Sequence, residues 1–322
     1  MLKITVSELS LCNVLRKTST CLYSTVAQVN PLVFNQNFRA TETNPANHSL
    51  AHCGLYYKLS NDVKQRIFQH GGLPKSYDVQ TKTFTETCFM IREPALDLIH
   101  SMKTLDYSKP VVRFVLYGEK GNGKTLSLAH VLHYAHNEGY LIVHVPWVGN
   151  WMRRSRENSP SLTREGFTDL NMDAAAWLVH FKQQNATTLQ NPDLITSREY
   201  VWSKRENTPE NSPLLHLVDH GINRIKYASD CVVILAEEIK RLCNEDKCKA
   251  LVAVDGFNAF FYDNTNIKTE KKETVVPGKV ILTEAFVSLT RFDWKNAVCV
   301  LIVDELAIAG KDQVSHLPRY VD

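Results

Sequence analysis

Residues 118–125 read GEKGNGKT and separate an apolar run, 110–117 (PVVRFVLY), from a stretch with helical composition, 126–139 (LSLAHVLHYAHNEG). The fixed positions of the phosphate-binding loop pattern GxxxxGK(S/T) are all filled, by Gly118, Gly123, Lys124 and Thr125. Glycines let consecutive backbone N–H groups turn into one concave nest, and the following helix adds its positive end. The stretch therefore predicts a nucleotide-binding site between a buried strand and a helix.

The expected nucleotide contacts are residues 118–126 as a block: Gly118, Glu119, Lys120, Gly121, Asn122, Gly123, Lys124, Thr125 and Leu126. Lys124 would supply a cation to the β- and γ-phosphates, and the Thr125 hydroxyl is a hard oxygen ligand for Mg²⁺. The chain has no Asn-Lys-x-Asp tetrapeptide for recognising guanine. The choice between GTP or GDP and ATP therefore stays open at this stage.

A second Mg²⁺ ligand is expected at the end of another strand of the same sheet. Two acids compete for this role: Asp255 closes the run LVAVD, and Asp304 closes VLIVD and precedes Glu305. The pair Asp304–Glu305 looks more like that of a working ATPase, but the order along the chain favours Asp255. Gly256 then stands where a catalytic base is expected, which predicts slow hydrolysis at best, because a positioned base contributes about 10²–10⁴ in rate.

Apolar strands that alternate with helices predict the fold class. Strands are expected at 111–117, 140–145, 251–254 and 297–303, and their lack of polar alternation indicates burial on both faces. A single long amphipathic helix is predicted over 214–242, with Gly221 as its weak point. Residues 30–75 read as irregular, and 264–279 as a polar surface loop. The pattern indicates an α/β fold with a parallel sheet covered by helices on both faces.

The composition excludes several classes of protein. The 322 residues carry a net charge of +3, which excludes a protein that is basic as a whole, and no run reaches the ~18 apolar residues of a membrane-spanning helix. The eight cysteines are expected to be reduced, since Cys243 and Cys248 lack the spacing of a zinc site. Residues 1–30 are basic, hydroxyl-rich and poor in acids, which is typical of a mitochondrial transit peptide; a disordered tail is the alternative.

Three further clusters could either bind a ligand or have only an ordinary structural role. Residues 152–156 (MRRSR) follow Trp147 and Trp151 and would contact RNA or form only a solvated face, and 200–206 (YVWSKRE) has the same ambiguity. The third cluster is a set of histidines three residues apart: His130, His133 and His136. That spacing drifts around a helix surface, so metal binding there is disfavoured.

Five stretches together resemble the death-associated GTP-binding proteins of the mitochondrial ribosomal small subunit: 82–100 (KTFTETCFMIREPALDLIH), 115–135 (VLYGEKGNGKTLSLAHVLHYA), 140–147 (YLIVHVPW), 200–208 (YVWSKRENT) and 249–259 (KALVAVDGFNA). The resemblance runs from about Phe68 to Asp304. It implies a P-loop fold of the ring-ATPase (AAA+-like) type, guanine nucleotide with Mg²⁺, Asp255 as the magnesium-side acid, and a link to apoptosis. It also implies a place in the head of the small subunit, beside ribosomal RNA and ribosomal proteins and facing the large subunit.

The expected organisation is a transit peptide over 1–30, an N-terminal extension over 31–92 and a P-loop domain over 93–322 without the C-terminal lid of that family. The leading hypothesis is a structural protein of the mitochondrial ribosome that binds a nucleotide and hydrolyses it slowly or not at all, with no membrane insertion. The rival is a mitochondrial NTPase that acts off the ribosome, in remodelling or in cell-death signalling. Catalytic residues stay unassigned.

Overall fold

A computed structural model describes residues 3–7, 38–263 and 265–304 of the chain. Within them the strands are β1 (Lys3–Ser7), β2 (Tyr56–Leu59), β3 (Thr87–Met90), β4 (Val112–Tyr117), β5 (Leu141–Val145), β6 (Ser159–Pro160), β7 (Thr168–Asp169), β8 (Tyr200–Ser203), β9 (Glu206–Thr208), β10 (Ala250–Asp255) and β11 (Ala297–Ile302). The helices are α1 (Asn61–Phe68), α2 (Lys75–Thr83), α3 (Glu93–Thr104), α4 (Lys124–Asn137), α5 (Gly149–Arg154), α6 (Asn171–Gln184), α7 (Leu214–Asn223), α8 (Ala228–Asn244) and α9 (Ile281–Ser288).

The central sheet has the strand order β1-β4-β11-β10-β5. The last four strands of this order are parallel to one another, and β1 runs antiparallel along the free edge of β4. The predicted parallel P-loop sheet is therefore confirmed. The four sequence-predicted strands match β4, β5, β10 and β11 because long runs of β-branched and apolar residues specify buried strands locally.

Two hydrophobic cores lie on opposite faces of this sheet. Along β10 the side chains alternate: Leu251 and Ala253 face the core formed with α1, α3 and α4, whereas Val252 and Val254 face the core formed with α5 to α9. This alternation follows from the two-residue period of a strand. Because both faces are covered, the carboxyl ends of the parallel strands form the edge open to a ligand.

The single amphipathic helix predicted over 214–242 is wrong, because the structure has two helices there. The chain turns at Arg224 and the short 3₁₀ segment Ile225–Tyr227, and α7 and α8 pack against each other. Both helices bury apolar residues in the same core, so the hydrophobic period continues across the break. Periodicity reports which face is buried and does not report where the axis changes direction.

Two segments predicted to be irregular or exposed contain buried structure. In 30–75, the described part includes β2, which pairs with β3 and buries Tyr57 and Leu59, and also α1. The loop 264–279 is anchored by buried side chains at Thr265, Ile267 and Val275, although most of its other described residues are exposed. The pattern missed β2 because a four-residue strand is stabilised by a partner about thirty residues away.

Some sequence predictions fall outside the described residues. The proposed targeting segment 1–30 is described only in the backbone of β1, and Glu305 and the residues after it are not described. The transit peptide, its boundaries and the missing lid stay predictions. Among the described residues, no helix is long and apolar enough to cross a membrane.

Candidate functional site

The phosphate-binding loop connects β4 to α4 at the carboxyl edge of the sheet. Gly123 is the residue before α4 and has φ of 76°, in the left-handed region. A Cβ atom at this position would lie 1.6 Å from Nη1 of Arg92. Position 123 therefore requires glycine for its backbone conformation and for the approach of a neighbouring side chain.

Lys124 has its ammonium group inside the loop. The side chain is buried, and Nζ donates hydrogen bonds to the carbonyl oxygens of Gly118 at 2.8 Å and Glu119 at 3.0 Å. The cation thus lies at the centre of the turn that the glycines form. This is the location from which a lysine reaches the phosphates of a nucleotide in a P-loop.

Thr125 connects the loop to the strand that carries the predicted acid. Its Oγ1 donates a hydrogen bond of 2.7 Å to Oδ2 of Asp255. Burial raises the pKa of the Asp255 carboxyl to about 7, and the nearby charge of Asp304 adds to the rise, whereas the Thr125 bond and Lys124 oppose it. A carboxyl group so deprived of water is stabilised in its charged form by a cation.

Asp304 lies just after the end of β11, beside this carboxyl group, and is contacted by the side chains of Trp147 and Asn258. Its Oδ2 accepts a hydrogen bond of 3.0 Å from Nε1 of Trp147. The Asn258 amide bonds both the backbone N–H and the carbonyl of Asp304, at 3.0 and 3.1 Å. The structure therefore brings the two competing acids, Asp255 and Asp304, to neighbouring strand ends in one site, and Asp255 accepts the hydrogen bond from Thr125.

Gly256 follows Asp255 and has φ of 74°. An L-residue in the left-handed region costs roughly 1–2 kcal/mol, so the turn disfavours a glutamate at this position. The position predicted to lack a catalytic base therefore lacks a side chain and adopts a conformation that suits glycine.

Arg92 is a site residue that the sequence patterns did not reveal. Its Nη1 donates a hydrogen bond of 2.6 Å to the carbonyl of Asn122, within the phosphate-binding loop. The arginine directly precedes α3, and no motif connects it with the loop. It lies in the resembling stretch 82–100, but the resemblance assigned it no role.

The donor set fits a magnesium ion that is also bound by phosphate. Thr125 Oγ1 and Asp255 Oδ2 are hard oxygens in contact, with Asp304 nearby. No group of three or more His, Cys, Asp or Glu side chains suited to a metal occurs in the described part of the chain. Mg²⁺ ordinarily uses one or two protein ligands, waters and substrate phosphates, so two oxygens suffice.

Of the other predicted clusters, the one after Trp147 adjoins the site, and the rest form separate parts of the fold. His130 and His133 are buried against the segment 48–57 and not on the surface, and burial lowers the pKa of His130 to about 3 and of His133 to about 4. The sulfur atoms of Cys243 and Cys248 are 3.6 Å apart, at hydrogen-bond distance, and both residues are free thiols. The cluster after Trp147 lies beside the site, and the second aromatic–basic cluster forms the β8–β9 hairpin.

Comparison with known proteins identifies the family. A family model described as mitochondrial ribosomal death-associated protein 3 matches residues 89–321. The chain is 37% identical over 281 residues to small ribosomal subunit protein mS29 of Bos taurus, covering 87% of this chain and 70% of the bovine protein. The mS29 protein of Mus musculus is 35% identical over 281 residues, covering 87% of this chain and 71% of the mouse protein. The mS29 protein of Neurospora crassa is 26% identical over 141 residues, covering 42% of this chain and 28% of that protein. Because the family model matches more than half of the chain, the chain belongs to the family of mitochondrial ribosomal death-associated protein 3.

Proposed function

We propose that this chain is a structural component of the small subunit of the mitochondrial ribosome and that it holds GTP or GDP with Mg²⁺. Family membership supports the first part, since the relatives are named as small ribosomal subunit proteins. The second part is supported by the loop Gly118–Thr125 and the residues around it. The cellular location that accompanies this role is the mitochondrial matrix.

One observation carries the nucleotide proposal: the 2.7 Å hydrogen bond between Thr125 and Asp255. It joins the first helical turn after the phosphate loop to an acid on a neighbouring part of the sheet, 130 residues further along the chain. A glycine turn that bound nothing would not require a buried carboxyl group at this distance. The pair supplies the two protein oxygens that a nucleotide-bound Mg²⁺ uses.

Each residue has a separate part in holding the ligand. The backbone N–H groups of 118–123 and the N-terminus of α4 would face the phosphates, and Lys124 would neutralise them. Thr125 and Asp255 would hold Mg²⁺, which neutralises phosphate charge when it is bound. Arg92 keeps the loop closed from outside through Asn122.

The site is better suited to retaining a nucleotide than to turning it over. Gly256 provides no base, and Asp304 is engaged with Trp147 and Asn258. A ligand that binds only the folded state stabilises it by RT ln(1 + [L]/Kd), which is about 2.7 kcal/mol at a hundredfold excess over Kd. Retention alone therefore gives the nucleotide a structural role.

The test compares Lys124→Ala with Lys120→Ala, an exposed lysine of the same loop. Nucleotide binding is measured by calorimetry with GTP and Mg²⁺, and melting temperature with and without the ligand. We expect Lys124→Ala to lose roughly 10- to 100-fold in affinity, because charge-assisted hydrogen bonds contribute ~1.5–3 kcal/mol. Lys120→Ala, whose side chain is exposed, should lose less affinity than Lys124→Ala, whose ammonium group lies inside the loop.

Equal affinity in Lys124→Ala and the wild type would contradict the nucleotide site. Steady-state phosphate release tests the structural part of the proposal, and a turnover above roughly 1 per second, within the ordinary range for enzymes, would favour the NTPase alternative. A sucrose gradient of mitochondrial lysate tests the ribosomal part: the tagged chain should sediment with the small subunit, and Lys124→Ala should be depleted from it.

Contacts with ribosomal RNA, with neighbouring ribosomal proteins and across the intersubunit face belong to the same proposal. The apoptotic role that the resemblance implies stays a prediction. Its test is whether depletion of the chain changes cell death under conditions in which mitochondrial translation is already blocked, since an effect there would be separate from the ribosome.

A further inference from the structure

A cavity of about 320 Å³ opens beside the nucleotide site, at the end of β5 and between α5 and α6. Its lining includes an aromatic ring and three charged side chains: Trp147, Arg154, Arg156 and Asp173. The phosphate loop does not contribute to its walls. Its size suits a nucleobase with part of its sugar, at the lower end of the range for small-ligand pockets.

Trp147 provides a fixed aromatic wall. Its Nε1 is held by Asp304 at 3.0 Å, and its ring packs on Gly149, where a Cβ atom would lie 2.6 Å from the ring. The residue is only partly buried. An indole that is held in place and still accessible is a platform on which a base can stack, a contact that contributes about 1–3 kcal/mol.

Two arginines at the mouth of the cavity provide positive charge. Arg154, in the last turn of α5, is exposed and forms no ion pair with any described residue, whereas Arg156 lies 3.8 Å from Asp173. Asp173 also accepts a hydrogen bond of 3.0 Å from the backbone N–H of Arg156, so this acid is satisfied by its own neighbour. A net positive mouth next to an aromatic wall matches a phosphodiester attached to a base.

The cavity and the nucleotide site share a short segment of chain. Trp147 is bonded to Asp304, and the N–H of the next residue, Val148, donates a hydrogen bond of 2.9 Å to the carbonyl of Asp255. This segment leads directly into α5, which carries Arg154. A ligand that moves Asp255 or Asp304 would therefore also move Trp147 or its neighbour Val148, because one hydrogen bond joins each acid to this segment.

We infer that the cavity receives one base of a single-stranded RNA, stacked on Trp147 with its phosphate at Arg154 and Arg156, and that its affinity depends on the nucleotide at the phosphate loop. The second clause rests on the proposed function, whereas the RNA site itself does not. An acidic peptide would use the arginines and leave the aromatic wall without a partner, so RNA accounts for more of the site.

The experiment measures fluorescence anisotropy of a labelled single-stranded RNA of roughly 12 nucleotides, within the usual site sizes of such proteins. Trp147→Leu should weaken binding about 5- to 100-fold by loss of stacking. Arg154→Ala should weaken it and should reduce the slope of log K against log salt by ~0.7, the value for one phosphate on a single strand. The matched control is Arg205→Ala, an exposed arginine in the other aromatic–basic cluster, which should bind as the wild type.

Trp147→Phe separates the two parts of the inference and guards against a folding defect in Trp147→Leu. It keeps an aromatic ring and removes the bond to Asp304, so RNA binding should persist. In the wild type, Mg²⁺ with GTP should change RNA affinity by about fivefold or more, within the usual range of coupling between sites. In Trp147→Phe this change should disappear.

Three results would overturn the RNA site: wild-type affinity in both Arg154→Ala and Trp147→Leu, displacement of the RNA by polyglutamate, or equal affinity for a free mononucleotide and the RNA. The last two would assign the cavity to an acidic peptide or to a small nucleotide. If GTP binds but leaves RNA affinity unchanged, the coupling is wrong. If GTP does not bind at all, the proposed function fails, and the variants still decide the RNA site.

Discussion

The contact between Arg92 and Gly123 shows at the scale of single residues how the phosphate loop is held. The guanidinium group occupies the space that a side chain at position 123 would need, and it bonds the carbonyl of Asn122 at 2.6 Å. The phosphate loop is therefore supported by a residue outside its sequence pattern. The geometry separates two causes of glycine at position 123, a backbone conformation and a close neighbour.

Gly123→Ala is expected to destabilise the protein by about 2–4 kcal/mol, combining left-handed strain of ~1–2 kcal/mol with the overlap on Arg92. Gly121→Ala is the matched control, because its φ is 89° and nothing lies within 4 Å of its Cβ position. It should therefore show the strain alone. Urea unfolding gives both values.

In the double variant Arg92→Ala/Gly123→Ala, the steric overlap should be relieved and the backbone strain at position 123 should remain. The two changes are therefore expected to be non-additive, with the double variant more stable than the sum of the single effects indicates. Additive free energies would show that Arg92 does not restrict position 123.

Asp255 predicts a pH effect in the metal-free, nucleotide-free protein. Burial raises its pKa from the ordinary aspartate value of 3.8 to about 7 in the folded state, so the folded state binds the proton more tightly. Relative to Asp255→Asn, which keeps an acceptor for Thr125, the wild type should lose stability as pH rises from about 4 to 7 and change little above that. Chemical unfolding in EDTA at several pH values measures it. A constant difference between the two proteins would contradict the raised pKa.

The pair α7 and α8 shows at the scale of elements how packing changes the meaning of a residue. Gly221 lies within α7, and a Cβ atom there would be 2.4 Å from Cδ1 of Leu178 and 2.9 Å from Cβ of Cys231. Its absent side chain lets α6, α7 and α8 approach closely. The residue that the sequence indicated as a weak point of one helix is a contact point between three helices.

Gly221→Ala discriminates between these two interpretations. Helix propensity alone predicts a gain of roughly 1 kcal/mol, whereas the packing predicts a loss of about 1–3 kcal/mol. We expect the loss, measured by urea unfolding. Gly278→Ala is the control, since that glycine has open space around its Cβ position and a φ outside the left-handed region, and its stability should hardly change. A more stable Gly221→Ala would show that the helices can separate without cost.

Buried histidines join separate parts of the whole molecule on both faces of the sheet. On one face, His48 and His130 are 2.9 Å apart between ring nitrogens and connect the segment before β2 to α4. On the other, His144 of β5 and His180 of α6 are 3.1 Å apart. Burial lowers the pKa of His130 and of His144 to about 3. All four rings are buried, so protonating them destabilises the folded state.

Acid should therefore destabilise the whole chain cooperatively. The neutral histidines contribute stability that is complete above their unfolded pKa of about 6.5 and is lost as pH falls towards 3, at up to ~1.4 kcal/mol per pH unit for each. His144→Gln should flatten the fall between pH 6.5 and 5 by about one proton, and the exposed His216→Gln should not. Unfolding free energies across this range test it, and equal slopes in the two variants would contradict the prediction.

Local patterns in the sequence determined the phosphate loop, the strands β4, β5, β10 and β11, and the parallel sheet, because each rests on neighbouring residues. The chain order of the two acids favoured Asp255 as the magnesium-side acid; the structure shows it hydrogen-bonded to Thr125, and its role toward magnesium stays a prediction. By contrast, Arg92, the break between α7 and α8, the packing at Gly221 and the bond from Trp147 to Asp304 were decided only in the tertiary structure. Each of these depends on residues that are distant in the sequence and adjacent in the fold. A sequence pattern indicates whether a residue is buried, but it does not indicate which residue it contacts.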